Sequence, residues 1–166
     1  RISVNVSPVQ LSSMNFVDTV RAVLAETGLP ATRLELEVTE SSLFTDSETP
    51  IEILMALRVL GIKISIDDFG TGYSSLSRLI QLGFDKIKID KSFVRTISTD
   101  EETQTIAKLM VGMAKCLDMI IIAEGVETND QLLCLQRLGC DLAQGYLFGK
   151  PAPFISQSIK AGETLV

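Results

Sequence analysis

Six short stretches of this chain end in side chains that can hold a hard cation or pass a proton: Asn5, Glu37, Asp67 with Asp68, Lys88 with Asp90, Glu124, and Gln144. Carboxylates crowded together repel one another unless a cation neutralises them. If the fold gathers these acids, the chemistry to expect is that of one or two divalent ions on oxygen ligands. Composition sharpens the expectation. The 166 residues contain no histidine, which removes Ser-His-Asp and Cys-His nucleophiles, histidine acid–base catalysis and imidazole metal sites together. Carboxylate and amide oxygens remain, and these favour Mg²⁺ or Mn²⁺ over Zn²⁺. Fifteen basic and twenty-one acidic residues give a net charge of −6, which argues against a coat for nucleic-acid polymers. Cys116, Cys134 and Cys140 are odd in number and lack CxxC spacing, so they are read as small buried apolar residues of a cytoplasmic chain.

The elements that must position these side chains follow from periodicity, which switches repeatedly between about 2 and 3.6 residues. Strands are expected over residues 2–7, 34–39, 63–67, 86–90, 119–123 and 142–147. Between them, apolar residues recur at helical spacing. One helix runs from Phe16 with Asn15 as N-cap and Gly28 as its stop, another through Ile51 to Arg58, and a short one through Leu76 to Ile80. The longest spans about residues 100–117, one opens on the capping box Thr128-x-x-Gln131, and a last one follows Pro153. Six consecutive strand–helix units imply a parallel sheet with helical crossovers.

An open doubly wound sheet and a (β/α)₈ barrel both satisfy that order, and strand parity separates them. Ser3 and Asn5 oppose Ile2, Val4 and Val6; Glu35 and Glu37 oppose Leu34, Leu36 and Val38; Lys63, Ser65 and Asp67 oppose Ile62, Ile64 and Ile66; Lys86 and Lys88 oppose Ile87 and Ile89. A sheet covered by helices on both faces has strands apolar almost throughout. Here one face is repeatedly polar, as in a barrel whose polar residues converge on the axis and whose site lies at the C-terminal strand ends. Such a barrel has eight units, and the chain opens at Arg1 inside a strand pattern without a Met, so about two units are expected ahead of it. Each rim residue also has a plainer role open to it. Asn5 could cap a turn, Glu37 could pair with Lys63 or Lys88, Asp67-Asp68 could form an N-cap and tight turn, and Glu124 and Gln144 precede glycines as turn residues do.

The strings Asn5-Val6-Ser7-Pro8, Glu37-Val38-Thr39-Glu40-Ser41, Asp67-Asp68-Phe69-Gly70-Thr71-Gly72-Tyr73-Ser74, Lys88-Ile89-Asp90, Glu124-Gly125-Val126-Glu127 and Gln144-Gly145-Tyr146 stand in this order. Together they closely resemble the EAL-domain cyclic di-GMP phosphodiesterases of bacteria, over about residues 1–153; the family's Glu-Ala-Leu segment is absent from the chain. The resemblance implies a TIM-like (β/α)₈ barrel, with residues 1–166 forming the C-terminal two-thirds of the domain. It implies hydrolysis of cyclic di-GMP to linear 5′-pGpG with two ions of Mg²⁺ or Mn²⁺. Asn5, Glu37 and Asp67 would hold one ion, and Asp67, Asp68 and Glu124 the other. Lys88 would contact the attacking water or a phosphate oxygen, making Lys88, Glu124 and Asp67 the catalytic set. Gln144 and Glu127 would support the substrate, and Glu40 would anchor the loop after Asp68. A homodimer through the Phe69–Ser75 loop and the following helix is implied, as are sensory or GGDEF-type domains in a parent protein that could be anchored to the inner membrane. Many relatives have lost ligands and act as cyclic di-GMP receptors, so a binding module is the competing expectation, and an unrelated phosphate-binding barrel a third. Without the Glu-Ala-Leu unit, the 166 residues alone are expected to be inactive and to pair edge to edge.

Overall fold

The computed structural model describes residues 1–43, 47–71 and 76–151. Six parallel strands, β1 (Ile2–Val6), β2 (Leu34–Thr39), β3 (Lys63–Phe69), β4 (Lys86–Ile89), β5 (Ile120–Glu124) and β6 (Leu142–Gln144), lie side by side in sequence order. Helices α1 (Pro8–Leu11), α2 (Phe16–Thr27), α3 (Thr49–Val59), α4 (Leu76–Leu82), α5 (Lys91–Thr96), α6 (Glu101–Cys116) and α7 (Asn129–Leu138) make the crossovers. A doubly wound sheet reverses its strand order at a switch point; this one never does, so crossovers of one hand all return over the same face. The result is an arc of a (β/α)₈ barrel, as parity predicted.

The two faces of the arc differ as alternation requires. Toward the helices, Leu36, Val38, Ile64, Ile66, Ile87, Ile89, Ile121 and Ala123 are at most 3% exposed. Each large side chain buried this way contributes about 1.5–3 kcal/mol of transfer free energy. The opposite face carries ion pairs instead: Lys63 Nζ to Asp85 at 2.5 Å, Lys86 Nζ to Glu35 at 2.7 Å, and Lys88 at the rim. At the β1 edge, Ile2 and Val4 stay 53% and 45% exposed and join Phe16, Val20 and Leu24 in lining an apolar groove of about 640 Å³.

Several boundaries differ from the sequence expectation. β6 stops at Gln144, because Gly145 turns the chain against the Val126 backbone, where a Cβ has no room. α1 and α5 were not foreseen, being too short to show a periodic apolar face; α1 starts on a capping box of Ser7 and Gln10. Asn15 precedes α2 but its side chain makes no capping bond, whereas Gly28 closes the helix at φ 67° as expected. Cys116 is exposed at the end of α6, contrary to the buried role assigned to it; Cys134 and Cys140 are half-buried, and all three thiols are free. The helix expected after Pro153 and residues 72–75 of the loop after β3 lie outside the described residues. No helix among the described residues is long and apolar enough to cross a membrane.

Candidate metal and phosphate centre

Parallel register brings the strand ends to one rim: Asn5 lies opposite Glu37, Thr39 opposite Asp67, and Glu124 opposite Gln144. The end of β3 departs from regular geometry. Its register with β4 shifts between Ile66 and Phe69, and Asp68 takes φ 53°, rare for a non-glycine residue. Consecutive residues of a regular strand face opposite ways; the bulge re-aims one of them. As a result Asp67, Asp68 and Glu124 present carboxylate oxygens that all lie within 4.8 Å of one another. Three converging hard oxygens with no nitrogen or sulfur donor fit Mg²⁺ or Mn²⁺.

Lys88 is the counter-charge of this rim. Its side chain is 7% exposed, and Nζ lies 2.6 Å from Glu124, 2.7 Å from Glu37 and 3.2 Å from Asp67. Burial opposes its charge, but the hydrogen bonds to Glu124 and Glu37 outweigh that and hold the ammonium above its ordinary value. Glu124 moves up through burial and the charges of Asp67 and Glu37, which Lys88 only partly offsets. Asp68 also moves up, through burial and the neighbouring Asp67 and Asp90. Burial leads both shifts, and a divalent ion would stabilise the charged carboxylates that this loss of water disfavours. Glu37 meets the cluster through Lys88, the ion pair that the sequence left open to it, and its carboxylate is not one of the three that converge.

The supporting residues fall out as follows. Glu40 is 1% exposed and its Oε2 accepts the Gly70 amide at 2.9 Å, tying the short 3₁₀ turn after β2 to the segment after Asp68. Gly70 holds φ 96° and packs against Phe93 and Met110, which leaves no space for a side chain. Asp90, grouped with the rim acids from its position, lies beside Asp68 and also caps α5 by accepting the Ser92 amide at 2.9 Å. Burial would raise its carboxyl, but the bonds from Ser92 prevail and lower it. Asn5, Glu127 and Gln144 are exposed; Glu127 and Gln144 line a cleft of about 330 Å³ with Lys91, Glu124 and Tyr146. Two further residues belong to this region. Ser65, set on the polar face by parity and fully buried between Glu37 and Lys86 in the register, has an Oγ without a hydrogen-bond partner among the described residues, and Lys91 stands in the cleft beside Glu124. No local pattern ties either one to the site.

Comparison with known proteins agrees with this geometry. The cyclic di-GMP phosphodiesterase NbdA of Pseudomonas aeruginosa is 45% identical over 153 residues, which are 92% of this chain and 20% of that protein. The solved cyclic di-GMP complex of the PaMucR phosphodiesterase is 42% identical with a TM-score of 0.89, covering 93% of this chain and 63% of that one. A manganese and cyclic di-GMP complex of Klebsiella pneumoniae BlrP1 is 37% identical with a TM-score of 0.85, over 92% of this chain and 39% of that one. The chain spans about a fifth of the length of the first curated relatives it matches. Residues 1–151 match the EAL domain, and with the sequential parallel arc and its carboxylate rim they make the chain a member of the EAL domain family.

Proposed function

We propose that this chain carries the hydrolytic centre of a metal-dependent phosphodiesterase that opens cyclic di-GMP to linear 5′-pGpG. The observation that carries this reading is the convergence of Asp67, Asp68 and Glu124 around a buried lysine. Asn5, Glu37 and Asp67 would hold one Mg²⁺ or Mn²⁺, and Asp67, Asp68 and Glu124 a second. Such ions lower the pKa of a bound water and offset the phosphate's charge. Lys88 holds Glu37, Asp67 and Glu124 in place and presents an ammonium that stays charged, suited to donating to the attacking water or a phosphate oxygen. Glu40 fixes the segment after Asp68, and Glu127 and Gln144 offer polar groups to the substrate from the adjoining cleft.

The remaining readings rest on the same resemblance. A homodimer through the Phe69–Ser75 loop and α4 is supported by Ile80, which is 58% exposed on that helix. Regulatory domains in the parent protein are supported by the greater length of the relatives. The deciding experiment incubates the full-length protein with cyclic di-GMP and Mn²⁺ or Mg²⁺ and identifies products by chromatography. Linear 5′-pGpG, abolished by chelation and reduced about 10²- to 10³-fold in Asp67→Asn, is the expected result. Tight binding without turnover would replace the enzyme by a receptor.

A further inference from the structure

A cyclic dinucleotide carries two phosphates, and the carboxylate cluster with its ions accounts for one. Lys88, held among three carboxylates beside the cluster, is placed to serve that same phosphate, so the second phosphate is open to a different cation. The cleft that shares Glu124 with the cluster contains a single one, Lys91. Among the described residues Lys91 makes no ion pair, although Glu124 and Glu127 line the same cleft. Its position is fixed by close packing. A Cβ on Gly125 would lie 2.7 Å from Lys91 Cβ, so the glycine at φ 70° lets the lysine stem seat directly against the residue after Glu124. The opposite wall is fixed as well: the Val126 amide donates to Gln144 O at 3.0 Å, and the Leu147 amide donates to Val126 O at 3.0 Å.

We infer that Lys91 is a substrate-binding residue that holds the second, uncleaved phosphate of the dinucleotide. This rests on the phosphodiesterase reading and adds to it a subsite that sets which phosphodiesters bind well. A lone ammonium in a water-accessible cleft gains less than a buried one, so the expected contribution is at the low end for charged hydrogen bonds, roughly tenfold in affinity.

The test uses products, which bind without turning over. In 5′-pGpG the terminal phosphate derives from the cleaved bond and the internal phosphodiester is the uncleaved one; GMP has only the former. Calorimetric titration of the full-length protein with Mn²⁺ should show Lys91→Ala weakening pGpG about tenfold while GMP affinity stays within twofold. Lys91→Arg should restore most of the loss. With cyclic di-GMP as substrate, Lys91→Ala should raise KM with little change in kcat. Equal losses for pGpG and GMP, or no loss for either, would overturn the assignment. Absence of any cyclic di-GMP turnover and of pGpG binding in the wild type would overturn the parent reading instead, so the two failures are distinguishable. Lys91 is exposed, and an unchanged melting temperature of Lys91→Ala checks that folding is intact.

Discussion

Replacing Lys88 by Met removes the ammonium while keeping most of the aliphatic stem, and it isolates what that one charge does. Three carboxylates lie 2.6–3.2 Å from Nζ, with side-chain exposures of 13% for Glu37, 15% for Asp67 and 21% for Glu124. Removing one partner of a buried pair costs about 3–5 kcal/mol, chiefly because the other charge is left uncompensated. Here Asp67 and Glu124 keep some contact with water, so about 3 kcal/mol is the appropriate figure. That corresponds to roughly 100-fold faster hydrogen exchange at the amides of β2 to β5 in chelator-treated protein, since 1.4 kcal/mol is tenfold. Mn²⁺ should recover much of the loss in Lys88→Met, because a divalent ion supplies the missing positive charge to the same oxygens. Turnover should nevertheless stay low, as the ion cannot replace the lysine as a donor. Unchanged exchange in the metal-free variant would refute the claim that Lys88 holds the rim together.

Three further outcomes are expected. Ser65→Ala removes a buried hydroxyl with no partner among the described residues, so the variant should melt at the same temperature as the wild type or higher; a loss above about 1 kcal/mol would mean the hydroxyl is satisfied after all. The Cys140 thiol is pushed up by burial to about 11 while Cys116 is exposed, so peptide mapping after iodoacetamide treatment at pH 8 should find Cys116 labelled well before Cys140. The proposed homodimer through α4 requires the wild type to be dimeric and Ile80→Glu to be monomeric in light scattering at micromolar concentration; a monomeric wild type or an undisturbed variant dimer would overturn that interface.

Local periodicity was enough to order this molecule. Alternating runs such as Leu34–Thr39 and Lys63–Asp67 announce strands with one polar and one apolar face, and the helical stretches between them enforce parallel pairing. Because every strand end carries its own polar residue, the sequence offers Asn5, Glu37, Asp67, Asp68, Lys88, Glu124 and Gln144 as candidates, and of these the structure gathers Asp67, Asp68 and Glu124 around Lys88, with Glu37 paired to it as well. What periodicity cannot carry is geometry that depends on several distant segments at once. The bulge that turns Asp67 and Asp68 toward Glu124 arises from the register between β3 and β4. The choice of Lys88, rather than Lys63, as the partner of Glu37 follows from height along the barrel axis, since Asp85 takes Lys63 lower down. Asp90 reads only as a rim acid, because the six-residue helix that it also caps leaves no periodic trace. Lys91 gains meaning only when Gly125 and the Val126–Gln144 contact wall it into a cleft. Alternation assigns each residue a face from its own strand, but charge pairing and cleft walls are set by which strands become neighbours, and that is decided only when the sheet assembles.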